Sequence, residues 1–335
     1  MKTKVLVTGG AGYIGSHVCK ALHLAGIEPV TFDNLSTGYE WAVKWGPLEV
    51  GDIRDTARVA AVMKAHEVTA VLHFAAKSLV AESVANPLLY HANNVGGTMS
   101  LVEAMLTSSV TKIVFSSTCA VYGIPARTPI GEDAARNPIN PYGQSKLGAE
   151  NVLTDVAATG KLQVALLRYF NAAGADAALE IGEAHVPESH LIPLAIRAAR
   201  GTGEALRLFG TDYPTPDGTC LRDYIHVTDL ASAHIAALDY LMTGVDLCRF
   251  NLGTGKPVSV REVLDAVSDA VGRPVPVTEA PRRAGDPPAL YAANDAARSK
   301  LKWQPEHSDI ATIVRSAVAW EAAYQDRLGQ LKPIS

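Results

Sequence analysis

The chain has 335 residues, of which 48% are hydrophobic and 19% charged, which suits two packed lobes better than one core. Thirty-four acidic side chains against 30 basic ones give a net charge of −4 with no block of like sign, so binding to nucleic acid or a membrane surface through charge is not expected. No apolar run reaches the roughly 18 residues of a membrane span, and Cys19, Cys119, Cys220 and Cys248 lie too far apart for a disulfide framework or a thiolate zinc site.

In chain order, "MKTKVLVTGGAGYIG" begins with an apolar core too short for a signal peptide, and a cytoplasmic protein is expected. "KVLVTGG" reads as a strand and "YIGSHVCKALHLAG" as a helix closed by Gly26. Between them Gly9, Gly12 and Gly15 form a G-x-x-G-x-x-G turn. Glycines permit a tight strand-to-helix turn and close approach of a pyrophosphate, and the free N–H groups at the helix start attract its charge. "PVTFDN" is the next strand, ending at Asp33. A carboxylate there accepts hydrogen bonds from adenosine ribose hydroxyls and repels a 2′-phosphate, which favours NAD over NADP. Strand-like "LEVGD", "AVLHFAA" and "KIVFSST" follow, with helices expected around 56–66 and 87–108. Uniformly apolar strands alternating with helices predict an α/β fold: a Rossmann-type, doubly wound parallel sheet covered on both faces. Ligands collect at the carboxyl ends of such strands, which makes Asp52 and Phe74 rim residues.

"KIVFSSTCAVYG" brings Ser116, Ser117 and Thr118 to a strand end. In "NPYGQSKLGAE", Asn140 caps a helix with Pro141 as its first residue, so Tyr142 and Lys146 stand i and i+4 on one face. A hydroxyl, a phenol and an ammonium beside a nicotinamide make a proton-transfer set. A free phenol titrates near 10, so a base at neutral pH needs about 4 kcal/mol of help. One cation at about 4 Å supplies about that at an effective dielectric near 20, whereas burial opposes it.

"QVALLRYFNAAG" is a further buried strand. Beyond Asn171 the texture becomes loop-rich over 174–190 and 210–220. "IHVTDLASAHIAALDYL" is helical, and "RFNLGTGKPVSVREVLDAV" reads strand, glycine loop, helix, with Ser259 and Glu262 spaced as a capping box. These pieces predict a smaller, discontinuous α/β lobe. The expected division is 1–171 with a returning segment at about 223–250 for the dinucleotide, and 172–222 with 251–335 for the substrate. Arginines suit phosphate oxygens, which singles out Arg222 in "LRDYIHV" and Arg282–Arg283 in "PRRAGD". His185 and His190 share a loop and His226 and His234 flank a helix start. With no HExxH motif or carboxylate cluster beside them, no metal is expected.

Taken together, "VTGGAGYIGSH", "DNLS", "GDIRD", "HFAA", "ANNVGGT", "FSSTCAVYG", "PYGQSKLGAE", "LRYFNAAGA", "GTDYPTPDGTCLRDYIHVTDLA", "FNLGTG" and "PRRAGD" resemble the extended short-chain dehydrogenase/reductases over nearly the whole chain. The resemblance implies tightly held NAD, a UDP-sugar substrate and a homodimer joined through helices. The activity it implies is inversion of C4 of a UDP-sugar, interconverting UDP-glucose and UDP-galactose through a 4-keto intermediate. By position, Tyr142 is the base, Lys146 lowers its pKa and holds the nicotinamide ribose, and Thr118 orients the sugar hydroxyl. Tyr13, Ile14, Asn34, Ser36, Ile53, Ala75, Asn93 and Phe170 match cofactor contacts. Arg222 and Arg283 match diphosphate contacts, and Asn171 and Leu191 line the substrate site. Relatives often carry a lysine five residues after the histidine of "HFAA". Here that place is Ser78, preceded by Lys77. Leu290, beside Tyr291, holds the position where a tyrosine excludes N-acetylhexosamines and a small residue admits them. UDP-N-acetylglucosamine, UDP-xylose and UDP-glucuronate are the alternative substrates, and an NAD-sensing regulator is the non-enzymatic alternative. A sister 4,6-dehydratase would need an Asp-Glu pair after the strand-end hydroxyl, where this chain has Cys119 and Ala120.

Overall fold

The computed structural model describes residues 3–283 and 285–331. Seven parallel strands form the main sheet: β1 (Lys4–Thr8), β2 (Glu28–Asp33), β3 (Leu48–Val50), β4 (Ala70–His73), β5 (Lys112–Thr118), β6 (Gln163–Tyr169) and β7 (Leu247–Leu252). Their spatial order is 3-2-1-4-5-6-7, so the sheet reverses direction between β1 and β4. A crevice opens at the carboxyl ends of those two strands, where this topology binds dinucleotides.

Alternation along each strand splits the apolar residues between two layers. Val5, Val7, Leu72, Ala165, Leu167 and Phe250 face one side, packed against α1 (Tyr13–Leu24) and a later helix. Leu6, Val71, Ile113, Phe115, Val164 and Leu166 face the other, under α2 (Thr56–Ala65), α3 (Gly97–Thr107) and α4 (Pro141–Ala158). Successive side chains of a strand point to opposite faces, so a uniformly apolar strand is what two covered faces require.

The second half supplies α5 (Leu191–Arg200), α6 (Val227–Met242), α7 (Val260–Val271) and α8 (Ile310–Leu331). Helix α6 returns to the main sheet beside α1, whereas α5, α7 and α8 share a separate core around Ile192, Ile196, Val263, Val267, Ile313 and Val314. The Ser259–Glu262 capping box forms at the start of α7.

Two expectations change. "QVALLRYFNAAG" is not one strand: β6 stops at Tyr169, and Asn171–Ala173 pairs instead with Tyr224–His226, with the Asn171 amide donating to the Asp223 carbonyl at 2.9 Å. The expected helix at 87–108 is also compound. Helical turns at Val80–Ala85 and Pro87–Tyr90 lead into a π-helical turn, His91–Gly96, before α3 begins. A π turn widens the helix by one residue, a feature common at functional sites.

Candidate active site

The dinucleotide end is built by close backbone approach. A Cβ added to Gly15 would lie 2.2 Å from the Gly9 carbonyl oxygen, and one on Gly9 (φ +74°) would lie 2.6 Å from the Ala75 amide. Only glycine permits this close turn, and at Gly12, the N-cap of α1, a Cβ would lie 3.3 Å from the Gly9 carbonyl oxygen. Asp33, at the end of β2, accepts from the Ala11 amide (3.1 Å) and the Leu35 amide (2.8 Å). Burial raises its pKa against the pull of those donors. Asn34 accepts from the Ser36 amide at 3.0 Å and hydrogen-bonds Asp52. Asp52 holds Arg54 through two contacts, at 2.9 and 2.6 Å, and Arg54 is the main reason its carboxyl falls to about 2. That engagement leaves Asp33 without an arginine to favour a 2′-phosphate.

The remaining predicted cofactor residues make the following contacts. Ile14 packs on the α1 core and buried Ile53 packs against Gly97. Phe74 meets the His234 ring at 4.8 Å, just past the end of β4. The Tyr13 hydroxyl donates to the Gly174 carbonyl at 2.5 Å. Asn93 donates to its neighbour Asn94 at 3.0 Å. Buried Asn94 was not singled out by sequence. From the π turn it accepts from the Lys77 amide (2.8 Å) and donates to the Lys77 carbonyl (3.0 Å) and the Ser145 hydroxyl (2.9 Å). It therefore ties the loop after β4 to the first turn of α4. The doubled Asn in "ANNVGGT" is the only local signal of it.

Thr118, the last residue of β5, hydrogen-bonds the Tyr142 hydroxyl. The Asn140 side chain accepts from the Gly143 amide at 2.8 Å, and Pro141 opens α4, as the spacing predicts. One turn further on, Lys146 is buried, donates to the Ser116 carbonyl at 2.8 Å and lies 4.9 Å above the Phe115 ring. Burial lowers its pKa to about 7, with Glu150 pulling the other way. Burial is also the dominant influence on Tyr142 and raises its phenol well above the usual range, whereas the Thr118 hydrogen bond lowers it. Of the two opposing influences weighed for this pair, burial prevails among the chain's own groups: Lys146 donates to the Ser116 carbonyl, and desolvation dominates both members.

Beneath this pair lies a network that sequence reading missed. Arg168 of β6, fully buried, grips both oxygens of Glu150 on α4 at 2.8 and 2.7 Å. Ser117 donates to the same carboxylate at 2.6 Å. An arginine inside the apolar strand "VALLRYF" was its signal.

On the substrate side, Arg222 carries an ion pair with Asp286 and donates to the Pro287 carbonyl at 3.0 Å. Its charge is felt at Cys119, one residue past Thr118, where burial drives the thiol up to about 12. Leu290 pairs with Arg222 across a short parallel ladder and packs on the apolar cluster of Val121, Tyr122, Ile130, Phe170 and Ala292, as Cys119 also does. Asn171 starts the strand beside Tyr224, and Leu191 opens α5. Arg283 stands apart from these contacts, its guanidinium 3.9 Å over the Phe209 ring. Asp223, also missed, organises this wall by accepting from Thr254, Gly255 and Ala292 amides at 2.8, 3.1 and 3.0 Å.

The expectation that no carboxylates accompany the loop histidines is overturned. Glu183, His185, Glu188 and His190 come together in three dimensions.

Residues 5–253 match the NAD dependent epimerase/dehydratase family. The chain is 51% identical over 318 residues to a UDP-glucose 4-epimerase of Rhizobium meliloti, covering 95% of this chain and 97% of that one. Its structure resembles a UDP-glucose 4-epimerase from Brucella ovis in complex with NAD (TM-score 0.93, 51% identity, 95% of this chain and 98% of that chain). It also resembles one from Stenotrophomonas maltophila with bound NAD and formylated UDP-arabinopyranose (TM-score 0.94, 41% identity, 97% and 99%).

Proposed function

Because the chain belongs to the NAD-dependent epimerase/dehydratase family, we propose that it is an isomerase that interconverts UDP-glucose and UDP-galactose by inverting C4 of the sugar. The observation that carries the chemistry is the placement of the Thr118 hydroxyl at the end of β5 beside the Tyr142 phenol, with Lys146 one helical turn away.

The residues present fit NAD. The Gly9–Gly15 turn packs so closely on itself and on the Phe74–Ala75 backbone that no Cβ fits at Gly9 or Gly15, which brings the start of α1 bare to a pyrophosphate, and buried Asp33 stands ready for the adenosine ribose. Asn34, Ser36, Asp52, Ile53, Phe74, Ala75, Asn93 and Phe170 complete that reading, and Lys146 would hold the nicotinamide ribose. The chemistry NAD supplies when bound is reversible hydride acceptance at C4.

Tyr142 takes the proton of the sugar 4-hydroxyl at its phenol oxygen and returns it after the 4-keto sugar has turned over. Thr118 orients that hydroxyl. Lys146 supplies the positive charge that favours the phenolate. In a buried site this attraction is stronger than in water, which is how a desolvated phenol becomes a usable base. Arg222 and Arg283 bind the diphosphate, so the nucleotide stays tethered while the sugar rotates. Asn171 and Leu191 line the sugar pocket. On this reading residues 1–171 with about 223–250 carry NAD, and 172–222 with 251–335 carry the UDP-sugar.

Plain hexoses are the preferred substrates. Leu290 packs on the same apolar cluster as Cys119, one residue past Thr118, where a branched side chain would narrow the sugar pocket more than a small residue does. The test is to incubate the NAD-loaded protein with UDP-glucose, UDP-N-acetylglucosamine and UDP-xylose side by side. UDP-galactose should form fastest. No interconversion of UDP-glucose overturns the assignment, and faster turnover of the N-acetyl sugar overturns the role of Leu290.

The homodimer is part of the same reading. Val84 (65% exposed), Leu88 (82%) and Met99 (49%) put apolar side chains into solvent along the helical stretch before and within α3, as a helix-to-helix interface requires.

A further inference from the structure

Between the buried segment at Ile181 and the start of α5, the chain runs Glu183, His185, Glu188, His190. One ligand atom from each lies within 4.8 Å of all the others. His190 Nδ1 is 2.7 Å from Glu183 Oε1 and 3.0 Å from Glu188 Oε1, and His185 Nδ1 is 3.0 Å from Glu183 Oε1. Around a cation with bonds of about 2.1 Å, neighbouring ligands sit about 3.0–3.4 Å apart and opposite ones about 4.2 Å. The three close pairs lie at or just under the neighbour spacing, and the widest separation closes to it with a shift of about 1.4 Å for a tetrahedral ion. The loop is held at both ends. The Glu183 carbonyl accepts from the Trp320 indole at 2.7 Å, and His190 is the N-cap residue of α5.

A second observation points to a missing positive partner. The Glu188 side chain is 1% exposed, and its Oε2 has no hydrogen-bond donor among the described residues. Glu188 Oε1, by contrast, accepts from the Ser189 amide at 2.7 Å and the His190 amide at 2.9 Å. Two carboxylates this close need compensating charge. The nearby Arg197, which feels both Glu183 and Glu188, is held by Glu321 at 2.9 Å, and no donor among the described residues reaches Glu188 Oε2. A divalent cation in the cluster supplies that partner.

We propose that Glu183, His185, Glu188 and His190 form a binding site for one divalent transition-metal cation of the Zn²⁺ class. Two imidazoles and two carboxylates suit Zn²⁺, Mn²⁺ or Fe²⁺. They offer too few oxygens for Ca²⁺, and Mg²⁺ prefers carboxylates and water to imidazole. The site lies next to the dinucleotide end of the fold, since the Tyr13 ring at the start of α1 meets His185 edge-on at 6.1 Å. Its role is structural: the cation ties Glu183 to the start of α5 across the 183–190 loop, and Tyr142 and Lys146 are not among its ligands. The inference rests on this cluster alone and stands or falls separately from the C4 chemistry.

The test uses the full chain with its bound NAD, stripped with EDTA and titrated with Zn²⁺ alone by calorimetry, with metal content measured after desalting. One Zn²⁺ per chain is expected, bound tighter than about 1 μM. Glu188→Gln and His185→Gln should each weaken binding at least about tenfold. Glu188→Gln keeps the side-chain shape and decides the matter if the histidine variant fails to fold. Binding weaker than about 10 μM in the unmodified protein, or equal binding in Glu188→Gln, overturns the proposal. So does a thiolate charge-transfer band on Co²⁺ substitution, which would put the metal on a cysteine.

Discussion

At the residue scale, Tyr142 and Lys146 are matched by position and opposed by environment. The helix that presents them one turn apart also buries both, and burial disfavours the charge each needs. Tyr142→Phe removes the proton acceptor and leaves the ring packed, so turnover should fall by about 10²–10⁴ while NAD stays bound. Full activity with UDP-glucose would remove Tyr142 from its role. Lys146 gives a pH signature. Its folded pKa of about 7 lies below the unfolded value of 10.5, so the unfolded chain holds the extra proton between those limits. The lysine therefore destabilises the fold below pH 7, and the penalty fades as pH rises toward 10.5. Lys146→Met should melt higher than the parent at pH 6, with the gap shrinking by pH 9. A gap that is constant across that range would show that Lys146 titrates normally.

At the scale of elements, strand β5, strand β6 and helix α4 are fastened together by charge as well as by apolar contact. Arg168 grips Glu150 with both partners fully buried, and Ser117 joins them. Removing one member of such a pair leaves the other charge uncompensated, which costs about 3–5 kcal/mol. Arg168→Leu should lower stability by that amount in urea melts and reduce turnover along with it, because α4 carries Tyr142. A loss under about 1 kcal/mol would mean that the apolar layers alone hold α4 in place. The glycine turn, the Asn140 cap and the Ser259–Glu262 box were all legible in the sequence, because each is a local bargain between a backbone conformation and a nearby side chain. The π turn was not legible: nothing in "HANNVGG" distinguishes it from a helix. Its reason lies across space, in the bonds Asn94 makes to Lys77 and Ser145.

At the scale of the whole molecule, four buried histidines set the acid limit. Burial lowers His17, His226 and His234 to about 4 and His73 to about 3. The unfolded chain protonates them near 6.5 and the folded chain does not until pH 4 or below. Stability therefore falls as pH drops from 6.5 toward 4, by about 1.4 kcal/mol per pH unit for each histidine. The melting temperature should drop steeply between pH 6.5 and 5, and a flat profile there would mean that these imidazoles gain their charge inside the fold. Assembly is tested on the same scale. Leu88→Glu, on the exposed apolar stretch, should convert a dimer to a monomer in sedimentation, and an unchanged mass would move the interface elsewhere.

The sequence by itself determined the parallel sheet, the dinucleotide turn, the acid at the end of β2 and the spacing of Tyr142 and Lys146. Each of these is written within a few residues, in periodicity, glycine placement or a helical repeat. Only the tertiary structure decided which distant groups share a space. It joined Arg168 to Glu150 and set Leu290 on the same apolar cluster as Cys119. It made Asp223 an anchor for the Thr254, Gly255 and Ala292 amides and gathered Glu183, His185, Glu188 and His190 around one point. It also set the balance between cation and burial at Tyr142, because desolvation depends on everything packed around a group and no local pattern records that.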